Sequence, residues 1–351
     1  MENKSAPMKT VPLVVTGFGN VGRTFFSLLM EKREDLKRRY GLVIDVLAVA
    51  QAEGCFYFGG PLEVRHISQG GEPWTSGNPS WRAGMKVTDI IEETGPGGCL
   101  VECTLSNLES GEPGLSYITG AFHRGWHAVA ASKGALVVGL PSLRDLAAEN
   151  GVFLKFSGAT GAALPALDVG LFSLAGARIE GVQGILNGTT NYILTRMGEG
   201  LAYAEALQEA QASGIAEPDP AHDVDGWDTA SKILLITNAC LDADYGLNDV
   251  QVRGIAGVSV DFVQSARKEG RSVKLLATAA PGRKGGRWNL DVRPSLVDAT
   301  HPLANVNGTE KGITFLTDSM GSVTVTGGRS NPRGAAAALL KDIINIYRPP
   351  F

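Results

Sequence analysis

Two hydrophobic periods alternate along the N-terminal part of this 351-residue chain. Thr10 to Thr16 is a short apolar, β-branched run that predicts a strand, and Gly17-Phe18-Gly19-Asn20-Val21-Gly22 follows it at once. An amphipathic stretch then reaches about Tyr40, in which Val21, Phe25, Leu28, Leu29 and Leu36 recur at helical spacing and give one face to pack on a sheet. Val43 to Ala50 predicts the next strand. Others are expected over Gly98 to Glu102, His127 to Ala131 and Val152 to Phe156, with helices over Leu115 to Arg124 and Ser142 to Asn150 between them. Alternation of this kind predicts a doubly wound parallel α/β sheet. Further along, strand-like pieces at Ile179 to Leu186, Val273 to Ala280 and Gly312 to Thr326 are mixed with helices at Tyr203 to Ser213 and Thr229 to Leu241. A last helix is expected over Gly334 to Ile346.

The strand, glycine turn and helix at the start carry specific chemistry. Gly17 permits a tight turn, Gly19 lets the backbone approach a pyrophosphate, and Gly22 allows the helix to pack closely on the strand. A dinucleotide would then rest on the helix N-terminus, touching Gly17, Phe18, Gly19, Asn20, Val21 and Gly22. The pattern alone is common, and a merely structural turn is the alternative; the strand before it and the helix after it supply the context a Rossmann-like domain requires. Two loops at the carboxyl ends of later strands, Thr104 to Asn107 and Ala131 to Gly134, lie where ligands bind in such sheets. Thr104, Ser132 and Lys133 are therefore added as candidate cofactor contacts. Gln51 ends the second strand where an acid usually meets the ribose 2′-hydroxyl of NAD. Glu53 comes two residues late, and no basic residue appears until Arg65. NAD and NADP both stay open, with a lean to NADP because the repelling acid is missing.

A second concentration of chemistry runs from Gly214 to Lys232, with five carboxylates and one lysine leading into Ile233-Leu234-Leu235-Ile236. Proline flanks Glu217 and Asp219, so both sit on stiff, non-helical backbone and a helix starts only afterwards. Asp225 is read as its N-cap, and Asp228 and Lys232 fall on one helical face. A lysine at the mouth of so apolar a helix is placed for partial burial beside carboxylates, which suits it to proton transfer. A solvated helix cap and surface ion pair is the ordinary alternative.

Composition narrows the class. With 44% hydrophobic and 19% charged residues the chain reads as a soluble globular protein, long enough for two domains. A net charge of −4 without a basic cluster gives no footprint for nucleic acid. Cys55, Cys99, Cys103 and Cys240 lack zinc-type spacing and no secretory leader is visible, so reduced thiols in a cytoplasmic protein are expected. No apolar run approaches the ~18 residues of a membrane span.

With these residues in view, the chain resembles homoserine dehydrogenase along nearly its whole length. Asn187-Gly188-Thr189-Thr190-Asn191 is similar to the family's signature loop, beside Ala216-Glu217-Pro218-Asp219-Pro220 and Asp223-x-Asp225-Gly226-x-Asp228-x-Ala230-x-Lys232. Gly111 to Gly114, Ala159 to Pro165 and Pro302 to Gly308 look like further family segments. The resemblance implies reversible hydride transfer between L-homoserine and L-aspartate 4-semialdehyde with NAD or NADP. It implies Lys232 as first and Lys133 as second candidate for proton transfer, and Glu217 at the substrate ammonium. Asp228 would orient the substrate and hold Lys232, with Asp223 behind it; Asn187, Gly188 and Thr189 would meet the substrate's polar end.

Three departures stand out. Ser132 replaces a common asparagine, Ser157-Gly158 replaces a frequent Glu-Ala, and Gly327-Gly328-Arg329-Ser330-Asn331-Pro332 replaces a glycine-rich segment near the nicotinamide. Family members bind a monovalent cation through backbone carbonyls near the Ala159 to Pro165 loop, and the Ser157 change puts that site in doubt here. The resemblance further implies residues 1–156, completed by 327–351, as the NAD(P)-binding domain, and 157–326 as an α+β substrate-binding and dimerisation domain. It implies a homodimer of the short form without a regulatory domain. A dehydrogenase of another small amino acid or aldehyde, or a noncatalytic NAD(P) sensor, is the competing reading.

Overall fold

In the computed structural model, residues 8–59, 74, 76–282 and 286–348 are described; Arg65, the first basic residue after the second strand, lies outside them. Chain contacts divide into two compact units, Met1–Ala159 with Ala335–Phe351, and Thr160–Gly334.

The first unit begins with β1 (Lys9–Thr16), α1 (Asn20–Asp35, continued by a wider helical turn at Leu36–Tyr40) and β2 (Leu42–Gln51). Phe25, Leu28, Leu29 and Leu36 are buried, so the apolar stripe of α1 faces the sheet as its spacing requires. There follow β3 (Gly54–Tyr57), β4 (Trp81–Ala83), α2 (Val87–Thr94), β5 (Cys99–Glu102), α3 (Gly114–Phe122), β6 (His127–Ala130), α4 (Gly134–Glu149) and β7 (Leu154–Lys155). The sheet order is β4-β3-β2-β1-β5-β6-β7. Strands β2, β1, β5, β6 and β7 are parallel, while β3 and β4 add an antiparallel edge. This is the doubly wound α/β sheet, with an antiparallel edge pair the sequence pattern did not announce. Helix α4 corrects another expectation. The expected helix began at Ser142, but helix begins at Gly134 and runs through a break at non-helical Gly139, which leaves Pro141 near the first turn of the second segment.

The second unit contains α5 (Ala166–Asp168), β8 (Ile179–Ile185), α6 (Gly188–Gly198), α7 (Tyr203–Ala212), α8 (Ala221–Val224), α9 (Trp227–Cys240), β9 (Val250–Val252), α10 (Val260–Lys268), β10 (Arg271–Ala280), β11 (Asn289–Asp298), β12 (Lys311–Thr317) and β13 (Gly321–Gly327). Its sheet runs β13-β12-β8-β10-β11-β9, antiparallel except for β11 with β9, and α6, α9 and α10 pack against β10. The run Ile233 to Ile236 is fully buried, so α9 is a core helix. The single strand expected over Gly312 to Thr326 is two, turned at Gly321 with φ 71°. Strand β11 escaped notice because Pro294 interrupts it; that proline lies past the Leu290 to Val292 pairing with β9, where a missing N–H costs no ladder bond on that side. The chain then returns to the first unit with α11 (Pro332–Tyr347), whose Ala336, Leu339, Leu340 and Ile343 join its core.

Candidate active site

The glycine turn of the first unit has the form that a phosphate cradle needs. Gly17 has φ +80°, and a Cβ there would lie 2.4 Å from the Cys103 carbonyl oxygen. A Cβ on Gly22 would lie 2.4 Å from the Gly17 oxygen, whereas one on Gly19 would meet nothing within 4 Å. Two glycines thus serve packing, and the third leaves open space. Gly19 is the N-cap of α1 and offers no side chain to its first turn, so the leading N–H groups of Asn20, Val21 and Gly22 are available to an anion. Phe18 is buried against Trp74, with ring centroids 4.3 Å apart, and Arg23 Nε donates to the Phe18 carbonyl at 3.0 Å. Gln51, Glu53 and Lys86 line one cavity at the end of β2. These features fit a dinucleotide.

Behind the next two loops sits a carboxyl group that sequence reading passed over. Glu102 ends β5 and is fully buried. It accepts the Thr104 backbone N–H at 2.8 Å and is short-bonded by the hydroxyls of Thr104 and Ser132. Burial pushes its pKa up, against those hydrogen bonds, which pull it down. Gly114 packs on it so closely that a Cβ would lie 3.1 Å from the carboxyl carbon. The two predicted loops are therefore tied to one acid, and a lone Glu closing the apolar run Cys-Leu-Val was its signal in the sequence. Lys133 is half-buried as N-cap of α4, and its backbone N–H donates to Ser106 Oγ at 2.9 Å.

In the second unit, α6, α8 and α9 bring four predicted residues together. Asn187 is the N-cap of α6: its Oδ1 accepts the Thr190 N–H at 2.9 Å, and its Nδ2 donates to Asp223 Oδ1 at 2.7 Å and Asp228 Oδ2 at 2.8 Å. Lys232 Nζ stands 2.5 Å from the same Asp228 Oδ2 and donates to the Leu186 carbonyl at 2.9 Å. Their side chains are 14% and 9% exposed, which removes the reading as a solvated surface pair. Gly188 starts α6 under Ser330, whose Oγ would lie 2.4 Å from a Cβ there, and Thr189 Oγ1 donates to the Ile215 carbonyl at 3.1 Å.

Other expectations fall elsewhere. Glu217 is exposed on its proline-stiffened segment, where Gln211 holds its backbone carbonyl, and none of the described hydrogen bonds joins its carboxylate to the Asn187 cluster. Asp225 is not the N-cap of α9. The chain must turn sharply between α8 and α9, and Gly226, with φ 93°, takes the cap position that an aspartate would occupy only under strain. Asp225 closes α8 instead. Potential ligand atoms of His222, Asp223 and Asp228 lie within 4.8 Å of one another, but Asp228 already holds an amide and an ammonium. Such a cluster is suited to amine and hydroxyl recognition.

Two buried lysines were missed. Lys311, 3% exposed, donates to the Gly161 carbonyl at 2.7 Å; burial and then Lys232 push its pKa down to about 7, while Asp228 pulls it up. Lys274, 2% exposed, donates to Val306 O at 2.5 Å, Asn307 Oδ1 at 2.9 Å and Asn191 Oδ1 at 3.2 Å, and burial pushes it down to about 8. Lys274 sits between Val273 and Leu275 and Lys311 at the start of β12 after Glu310, and each reads in sequence as an ordinary charged strand residue.

Known proteins share both halves. A family model described as homoserine dehydrogenase matches residues 165–344. The chain is 34% identical over 349 residues to an NAD(+)-dependent homoserine dehydrogenase of Pseudomonas canavaninivorans, covering 97% of each. It is 35% identical to a homoserine dehydrogenase of Methanocaldococcus jannaschii, covering 95% of this chain and 98% of that one. A solved homoserine dehydrogenase from Thiobacillus denitrificans matches with a TM-score of 0.82 at 26% identity, over 97% of this chain and 74% of that one.

Proposed function

The chain belongs to the homoserine dehydrogenase family, and from that premise we propose how its residues divide the work of the reaction. It is an NAD(P)-dependent oxidoreductase acting on a CH–OH group, reversibly converting L-homoserine and L-aspartate 4-semialdehyde, a step of threonine, methionine and isoleucine biosynthesis. When bound, the nicotinamide supplies the hydride acceptor or donor. In our reading the chain supplies everything else.

Lys232 is proposed to take the hydroxyl proton as the alcohol is oxidised and to return it in the reverse direction. The observation that carries this is its half-hidden Nζ, held by Asp228 and the Leu186 carbonyl and so fixed in one position. Asp228 and Asp223, oriented through Asn187, are proposed to meet the substrate's ammonium together with Glu217, which would have to reach in from its exposed segment. The N–H groups opening α6 at Gly188 and Thr189 suit the substrate carboxylate, as a helix N-terminus suits any anion. Lys133 is the second candidate for proton transfer. Glu102 is proposed to keep Thr104 and Ser132 in place for the cofactor.

Both cofactors are proposed to be accepted. Similarity to an NAD(+)-dependent relative supports NAD; Gln51 in place of an acid, with Lys86 lining the same cavity, supports NADP as well. A homodimer and a cytoplasmic location are also proposed; no helix among the described residues is long and apolar enough to cross a membrane.

The test is absorbance in the reduced-nicotinamide band with purified protein, L-homoserine, and NAD or NADP in separate cuvettes at alkaline pH. Reduction with homoserine but not with serine or threonine is expected. Cofactor binding without reduction would point to another substrate.

A further inference from the structure

Lys311 opens β12 and turns its amino group inward. The Gly161 carbonyl that it meets at 2.7 Å also accepts the Leu164 N–H at 3.1 Å. A peptide oxygen has two lone pairs, so both are used. The turn itself is tight: a Cβ on Gly161 would lie 2.0 Å from the Leu164 oxygen. Register does the rest. Gly312 pairs with Ile185 across the antiparallel β12–β8 ladder, which sets Lys311 level with Leu186, and the Leu186 carbonyl is the one that holds Lys232 Nζ at 2.9 Å. One ladder thus seats two amino groups, one on the small-residue loop and one at the Asp228 pair.

The monovalent cation implied by resemblance does not fit this arrangement. Ser157 brings no charge where a glutamate is frequent, and its hydroxyl is engaged, donating to Asp342 Oδ1 at 2.9 Å and accepting from Lys341 Nζ at 2.8 Å. The Gly161 oxygen has no lone pair left for an ion.

We propose that Lys311 is a positioning residue whose amino group fills, from within the chain, the place a dissociable monovalent cation would take on the Gly161 loop, so that the reaction requires neither sodium nor potassium. The loop is then fixed by a covalently tethered donor. No ion has to bind before the substrate does.

Two measurements test this, only the second of which rests on the homoserine dehydrogenase reading. The first is thermal unfolding at constant ionic strength with choline, sodium or potassium as the cation. The wild-type midpoint should be the same in all three, while Lys311→Ala, which vacates the carbonyl, should be raised by sodium or potassium, since an ion that binds only the folded state stabilises it. The second is homoserine turnover in the same buffers. Wild-type rates should agree within about twofold, and Lys311→Met should lose about tenfold or more in kcat/KM for homoserine with cofactor Kd unchanged, while Lys311→Ala, which leaves the space open, should be partly rescued by ethylamine or potassium. A wild-type rate or midpoint that depends on sodium or potassium would overturn the proposal. So would Lys311→Met with wild-type kcat/KM, or Lys311→Ala with no response to amine or ion. Should Lys311→Met not fold, the wild-type arms stand without any variant.

Discussion

Lys232 and Asp228 stand one turn apart on α9 with Nζ 2.5 Å from Oδ2, and both side chains are mostly withdrawn from water. An exposed pair at this spacing contributes a few tenths of a kcal/mol. A buried one matters more when it is broken, because the partner left behind is an uncompensated charge. Lys232→Ala is therefore expected to cost about 3 kcal/mol of stability and about a thousandfold in kcat. Cofactor affinity should hardly move. Urea unfolding, stopped-flow turnover and titration of NADH or NADPH fluorescence check the three in turn, and normal turnover would remove Lys232 from its role.

Asn187 joins two functions in one side chain: its oxygen caps α6 and its amide bridges Asp223 and Asp228. Asn187→Asp keeps the cap but sets a third negative charge where a donor stood. KM for homoserine should change by about tenfold or more, with a thermal midpoint that falls less than in Asn187→Ala. Loss of the cap alone costs about 1 kcal/mol. An unchanged KM in Asn187→Asp would argue that the bridge is unimportant.

At the cofactor turn, Gly22→Ala would set a Cβ 2.4 Å from the Gly17 carbonyl oxygen, a contact with backbone that cannot swing away. The start of α1 must shift, and the proposed pyrophosphate cradle with it. NAD(P) affinity should fall by about tenfold or more and the protein should lose 1–3 kcal/mol, roughly. Gly19→Ala is the control: open space surrounds it, so stability should hold while phosphate approach is impeded. Isothermal titration with unfolding curves on both variants separates the two roles.

These contrasts show which parts were legible in the chain. The glycine turn and the Phe25, Leu28, Leu29 stripe could be read because a strand, a φ > 0 glycine and a helical period are local signals. The Asp228 and Lys232 pair could be read for the same reason, since i,i+4 spacing is a property of one helix. Lys311, Lys274 and Glu102 could not: each acquires its environment from partners such as Gly161, Val306 and Ser132, distant in sequence. Asp225 was misread because cap preference is a side-chain rule, and the turn between α8 and α9 is decided by a backbone angle that glycine meets more easily.

In the proposed reading, cofactor choice rests on the end of β2. Gln51 there leaves the 2′-phosphate of NADP unopposed, so Gln51→Asp should lower kcat/KM with NADP by about tenfold or more and leave NAD use nearly intact, one repelled charge near a phosphate being the reason. Lys86→Ala should act in the same direction through lost attraction, more weakly because Lys86 is exposed. Ratios of kcat/KM for the two cofactors measure both. Unchanged ratios would move the discriminating contact away from this cavity.

Lys274 makes a pH prediction whose sign follows from linkage. Its pKa is pushed from 10.5 down to about 8 by burial, so between those values the unfolded chain binds more protons than the folded one. Unfolding free energy contributed by this group therefore rises with pH across that window and is lost as pH falls through about 8. Lys274→Met keeps most of the volume but removes the ammonium donor from the Asn191 and Asn307 oxygens and leaves the Val306 carbonyl with Asn191 Nδ2, so it should destabilise at every pH. The gap between wild type and variant should widen from pH 7 to 10, measured by urea unfolding at each pH. A gap that stays constant would mean that the amine keeps its proton in the folded protein, with the three oxygens stabilising the charge against burial.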